Sequence, residues 1–192
     1  MNKIAITGLS LFAALCMSFS VQAATPLSRD NIESFIAVMK PMQKLEEKYD
    51  ILEEDGSDMQ SVLPGSETFG PMTHSLKTIR THKSFPEFAK IIDDAGFTSP
   101  DQWANVGDRI LKAYMGLKMA ANMSPADVEK MQESIAELEK NEYLSPETKA
   151  QMLVGLKQGL AMMTNPSDQV KADQKALKPY MRKLEILFED TE

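Results

Sequence analysis

Three methionines carry the most specific chemistry in this sequence. Met115, Met119 and Met123 are spaced four residues apart. On an α-helix each four-residue step drifts by only about 40°, so they form a ridge with neighbouring Cβ atoms about 5–6 Å apart. Thioether sulfur is a soft donor that suits Cu(I) or Ag(I). It is also a flexible, polarisable apolar group that fills cores and adapts to polypeptide surfaces. With Trp103 set at 0°, Val106, Ile110, Ala113, Tyr114 and Leu117 fall between about 280° and about 20°, whereas Met115 and Met119 fall near about 120° and about 160°. The ridge is therefore separate from the main apolar stripe and is mixed with Asp108 and Lys112. Either this helix is sandwiched between layers, or the ridge is available to a partner.

The other candidate groups point to less. His74 and His82 are eight apart, about 12 Å of helical rise, which is too far to share a metal. Lys77, Arg80 and Lys83 follow at i, i+3 and i+6 with both histidines among them. In an acidic chain this basic island could dock an acidic partner or an anionic ligand. The run Glu46, Glu47, Asp50, Glu53, Glu54, Asp55, Asp58 invites a calcium reading. Aligning Gly56 with the EF-hand glycine puts Ile51 at the first ligand position and Val62 at the twelfth, and neither can bind calcium. There is no nucleophile elbow, no Gly-rich phosphate loop and no H-E-x-x-H. The expectation is a non-enzymatic protein with no cofactor and no catalytic residues.

The first 23 residues set the expected address. Met1-Asn2-Lys3 is a short positive start, Ile4 to Met17 is mostly apolar, and Val21-Gln22-Ala23 offers the small side chains that a signal peptidase reads. The apolar run is too short to span a bilayer comfortably. The expectation is cleavage after Ala23 and a mature chain, 24–192, in the periplasm or secreted. Cys16 is the only cysteine. It leaves with the leader and follows Leu15, where a lipobox needs a small residue. The mature fold is therefore expected to rest on packing, without a disulfide. The net charge of −7 argues against nucleic acid as a partner. No later apolar run approaches the length of a membrane span.

The elements that must position these side chains read as helices throughout. Ser99-Pro100, Ser124-Pro125 and Ser145-Pro146 each place an N-cap serine before a proline at the first helical position. Asn165-Pro166 repeats the device, and Ser84 with Glu87 spaces a capping box. Helices are expected over about 29–55 (kinked or split at Pro41), 72–83, 85–95, 100–121, 126–142, 147–163 and 167–188, with Pro179 interrupting the last. A loop insertion is expected at about 56–71. Val128, Met131, Ile135, Leu138 and then Leu153, Leu156, Leu160, Met163 would face each other in a helical hairpin. Trp103 heads the central stripe and is expected in the core. The sum is an all-α fold, a single compact domain of six or seven helices.

The stretch Phe85-Pro86-Glu87-Phe88, Gly96-Phe97-Thr98-Ser99, Trp103-Ala104-Asn105-Val106-Gly107-Asp108-Arg109 and Ala113-Tyr114 is similar to a family of exported proteobacterial helical proteins of unknown function. It covers about a fifth of the chain. The resemblance implies a periplasmic all-helical domain and carries over no site residues. Small size, helicity and methionine content also resemble the Spy/CpxP-like periplasmic chaperones, whose L-T-x-x-Q signature this sequence does not reproduce. The expected function is binding of another periplasmic polypeptide or an apolar ligand through a helical surface. Met115, Met119, Met123, Lys77, Arg80 and Lys83 are the candidate residues. The alternative is Cu(I)/Ag(I) binding by the three methionines.

Overall fold

Serine hydroxyls start the central helices. The computed structural model describes residues 25–49 and 70–189. The expected leader (1–23) and the expected loop up to residue 69 lie outside them. Eight α-helices are described: α1 (Arg29–Tyr49), α2 (Pro71–Ile79), α3 (Phe85–Asp94), α4 (Pro100–Asn122), α5 (Pro125–Lys140), α6 (Pro146–Thr164), α7 (Asp168–Leu177) and α8 (Met181–Glu189). A 3-10 turn, Lys178–Tyr180, joins the last two where Pro179 interrupts them. Taking that pair as one broken rod gives seven helices, and no strand occurs among the described residues.

Ser99 accepts from the Gln102 N–H at 3.1 Å, and Ser145 from the Thr148 N–H at 3.2 Å. Ser124 accepts from the Asp127 N–H, and the Asp127 carboxylate accepts back from the Ser124 N–H at 2.9 Å, a full capping box. Each serine fills one orphan donor of a helix start, and the proline that follows has no N–H to satisfy. α3 ends in a Schellman motif. Gly96 takes φ +89°, its N–H reaches the Asp93 carbonyl, and the Phe97 N–H reaches that of Ile92. Phe97 and Ile92 are both buried, the apolar contact that accompanies this motif.

Three expectations differ from what forms, and one is narrowed. Of the kink or split expected at Pro41, the split does not occur: α1 runs through it as one element, with Ala37, whose carbonyl loses its partner, on an exposed position. α2 stops at Ile79, so 80–84 is a turn rather than helix. Ser84 does not cap α3. Its hydroxyl bonds the His82 Nδ1 at 2.7 Å, while the Glu87 carboxylate is taken by Lys48 and Tyr49. Asn165-Pro166 starts no helix. The Asn165 N–H closes α6 on the Ala161 carbonyl, and Ser167 caps α7 from two residues later.

α4 is the axis. α2 packs on one side, α7 on another, and α1 and α3 cover the end at Trp103. Trp103 is only 5% exposed, stacked on Phe35 at 6.3 Å between ring centroids and edge-on to Phe88 at 5.2 Å. Leu27, Ile32, Val38, Ile92, Ile110, Leu177 and Leu184 are among the other members of this core. Gly107 lets α1 and α2 approach α4. A Cβ there would lie 2.8 Å from the Phe35 ring and 2.9 Å from the Met72 side chain. The α5–α6 hairpin has a separate buried set, Ile135, Leu138 and Met162, outside that core cluster. Met162, rather than Met163, is the buried methionine, and it reaches towards Gly116 of α4.

Gly107→Ala should destabilise by about 1–3 kcal/mol, because an added methyl meets a buried ring that has nowhere to move. Gly159→Ala is its control. A Cβ there meets nothing within 4 Å, so the gain in helix propensity should stabilise by up to about 1 kcal/mol. Urea melts of the two variants should move in opposite directions.

Candidate functional site

Two neighbouring residues of α4 tie it to different helices. Asp108 is buried, and its carboxylate sits on the start of α2. Oδ1 accepts from the Met72 N–H at 2.7 Å, and Oδ2 accepts from the Thr73 N–H at 3.2 Å and from the Thr73 hydroxyl. Gly70, the α2 N-cap, has no side chain to do this. Asp108 thus caps a helix from outside it, at the end where a negative charge is favoured. Burial pushes its carboxyl above the ordinary range, while the Thr73 side chain and the two backbone N–H groups act in the opposite sense.

Arg109 reaches the other way. Its guanidinium forks onto the buried Asp173 of α7, with Nε to Oδ2 at 2.9 Å and Nη2 to Oδ1 at 2.6 Å. Nη2 also donates to the Thr25 carbonyl at 2.8 Å, as Gln169 Nε2 does at 2.7 Å. The Leu27 N–H donates to Asp173 Oδ1 at 2.9 Å. Residues 25–27 are therefore strapped onto α4 and α7. These groups are consumed by structure, so neither is free to act on a ligand.

The methionine ridge is intermediate in exposure at all three positions. Met115 and Met119 share a face of α4. Met123 lies one residue past the helix, with extended backbone (φ −105°, ψ 132°) and its N–H on the Met119 carbonyl at 3.0 Å. The ridge is a helical pair followed by a residue that leaves the helix. The apolar stripe through Trp103 and Ile110 is buried, as are Ala104, Gly107 and Asp108 towards the methionine side and Ala113 and Gly116 on the other. α4 is sandwiched over most of its length, and the ridge begins where that cover thins.

The basic island is not one helical face, because α2 ends before Arg80. Lys77 is exposed on α2. Arg80 pairs with Asp101 at 2.5 Å. The Lys83 ammonium lies 5.7 Å from the centre of the Tyr49 ring, with Lys48 at 5.0 Å and His82 edge-on to it at 6.0 Å. His74 and His82 stand on different elements. Among the described residues no three His, Cys, Asp or Glu side chains converge as a metal cage would need.

The surface missed in the sequence is on the hairpin. Met152 is 47% exposed and Val154 40%. They flank Leu153 on α6, and Leu153, Leu156, Leu160 and Met163 are half-buried. At the hairpin tip Tyr143 is 98% exposed, beside a hollow lined by Leu144, Pro146, Ala150 and Leu153. The run Met152-Leu153-Val154 was the available signal. Three consecutive apolar residues cannot all face one side of a helix, so some must reach solvent or a partner. Comparison with known protein families, curated proteins and solved structures finds no match to this chain.

Asp108 binds a proton more readily folded than unfolded, since its folded value is raised. Its protonation therefore adds stability as pH falls from the raised folded value to the ordinary carboxylate value. Asp108→Asn cannot take up that proton. The stability difference between wild type and Asp108→Asn should widen in favour of wild type as pH falls from 7 to about 4. A difference that narrows on acidification would mean that the charge on the α2 cap outweighs its desolvation.

Proposed function

We propose that this chain is an exported, non-enzymatic helical protein that binds a polypeptide partner or an apolar ligand through a surface of α4 and α6. The observation that carries the reading is the apolar run Met152-Leu153-Val154 on α6, which leaves Met152 and Val154 substantially exposed. Apolar side chains grouped in solvent mark binding surfaces. The part-exposed Met115, Met119 and Met123 offer the same kind of side chain on α4, since methionine adapts its shape to varied partners. Lys77 and Lys83 would add a cationic rim for an acidic segment. Kinship with the exported helical proteins belongs to the same reading. No helix among the described residues is long and apolar enough to cross a membrane.

The test is binding of a reduced, unfolded test protein by the mature chain. Met152→Glu with Val154→Glu should weaken binding at least about tenfold while the melt changes little, because both side chains are surface groups. Met115, Met119 and Met123 changed together to leucine should retain binding, since apolar area is kept, at under about 1.5 kcal/mol per swap in stability. Unchanged binding by the charged pair would remove the α6 surface. The soft-metal alternative rests on Met115 and Met119 sharing one part-exposed face. It would move ahead if the leucine variant stayed folded and lost Cu(I) that wild type takes up near one equivalent per chain.

Export has its own check. The secreted form should begin at Ala24 by N-terminal sequencing, and recovery of only an unprocessed cytoplasmic chain would overturn it.

A further inference from the structure

The α5–α6 hairpin meets the body of the fold without a polar tie. Among the described residues, the hydrogen bonds and ion pairs of α5 and α6 all close within residues 124–165. α2 and α7, by contrast, are bonded to α4 through Asp108 and through Arg109 with Asp173. What α6 sets against α4 is apolar. Met162 is buried, and its Cε lies 3.3 Å from where a Cβ on Gly116 would stand. Gln158 comes one turn earlier, at i−4, on the same face of α6. Its Oε1 is buried and accepts no hydrogen bond. A buried acceptor left unpaired works against closure of the surface that covers it. A Cβ on the next residue, Gly159, would meet nothing within 4 Å.

We propose that the hairpin is a hinged arm, which swings off α4 as a unit and gates the apolar surface between α4 and α6. Both junctions are built for this. Met123 is extended (φ −105°, ψ 132°) and Asn165 is also outside helical geometry (φ −147°, ψ 63°), so a non-helical residue stands at each end. Such positions absorb the backbone rotation of a hinge. The arm itself is held by interactions that opening leaves intact. The Ser124 and Ser145 caps, the Lys157–Glu139 pair and the buried Ile135 and Leu138 all lie inside it. Opening gives up the Met162 seat and brings water to the Gln158 acceptor. Lobes with few buried contacts open at a free energy well below that of global unfolding. Once open, Gly116 and Met162 join Met119, which lies at i+3 from Gly116 on α4. An extended apolar segment of an unfolded polypeptide would hold the arm in that state. As a gate the arm rests on the polypeptide reading above, and as a hinge it does not.

Thiol labelling reads the hinge. With Cys16 changed to serine, Met162→Cys and Leu177→Cys each carry a single thiol. Both sites are buried, and Leu177 belongs to the main core. Met162→Cys should react with a maleimide at least about tenfold faster than Leu177→Cys. Its rate should also rise less steeply with urea, because opening the arm exposes less surface than unfolding does. Adding Gln158→Met, which keeps the length and removes the unpaired acceptor, should slow that labelling at least about fivefold. Equal rates and urea slopes for the two reporters would overturn the hinge, as would labelling indifferent to Gln158→Met. Binding of the reduced, unfolded test protein reads the gate. Gln158→Met alone should weaken it by about the factor by which labelling slows, since the open state is the competent one. Unchanged binding where labelling slows would overturn the gate. A wild type that labels as expected and binds no polypeptide would overturn the gate together with the polypeptide reading, and would support the hinge.

Discussion

Asp108 and Arg109 are adjacent in sequence and point about 100° apart around α4, which sends them to different neighbours. That divergence is what the rest of the fold hangs on. A helix covered on most of its circumference brings some of its polar residues inside, and each must then be satisfied by the element that covers it. Asp108 meets the unpaired N–H groups that begin α2. Arg109 meets the Asp173 carboxylate of α7, and the same carboxylate holds the Leu27 N–H. The apolar burial around Trp103 and Ile110 supplies the driving force. The two polar residues decide which helix may lie on which side.

The pairs are not equal in kind. Arg109 and Asp173 form a two-point bond in which Asp173 is almost wholly buried while Arg109 keeps part of its surface in water. Removing one partner of a buried pair typically costs about 3–5 kcal/mol, whereas replacing both by apolar groups is often neutral. Part exposure of the guanidinium puts this pair towards the lower side of that range. Its contribution is therefore best seen as selection of geometry. It joins residues 25–27 to helices more than eighty positions away, which no local propensity could do. Asp108 acts as a remote cap, and only an acceptor reaching from outside serves a helix whose N-cap is glycine.

Local devices were legible in the sequence, and remote ones were not. Ser99, Ser124 and Ser145 act across three residues, so their spacing was enough. Ser84 had the same spacing to Glu87 and failed, because His82 and Lys48 compete for those two groups from outside the expected helix. Ser167 replaced Asn165 as a cap for a similar reason. Asn165 is engaged in ending the preceding helix. The all-helical fold and the place of Trp103 followed from periodicity. The angular separation of the methionines from the main stripe was also readable, but it left open whether α4 is sandwiched or offers the ridge to a partner. Whether a side chain at about 120° faces a neighbour or water depends on where α2 stops, and that is set by tertiary packing. Met123 left the ridge because the helix ends one residue before it. The exposed Tyr143 was beyond reach for the same reason, since exposure belongs to the assembled surface, whereas the run Met152-Leu153-Val154 signalled that some of its members must leave the hairpin's inner face.

The separation of the hairpin from the main core sets its stability apart from that of the rest of the fold. Ile135, Leu138 and Met162 are the buried apolar side chains there, against the long list gathered around α4. Regions with few buried apolar contacts open at lower free energy than the core to which they are joined. α5 and α6 are held by their capped starts, by the Lys157–Glu139 pair and by the seat of Met162 near Gly116. Caps contribute about 1 kcal/mol each, and an exposed ion pair less. Such a lobe can keep its helices while its apolar side chains remain available, because local hydrogen bonds maintain it without needing every apolar group inside. Moving Met152 and Val154 inward would strengthen the hairpin and erase the surface. α6 spreads its apolar residues over several sides between Lys149, Gln151, Lys157 and Gln158, so no single packing face can take in all of them and Met152 and Val154 stay in solvent.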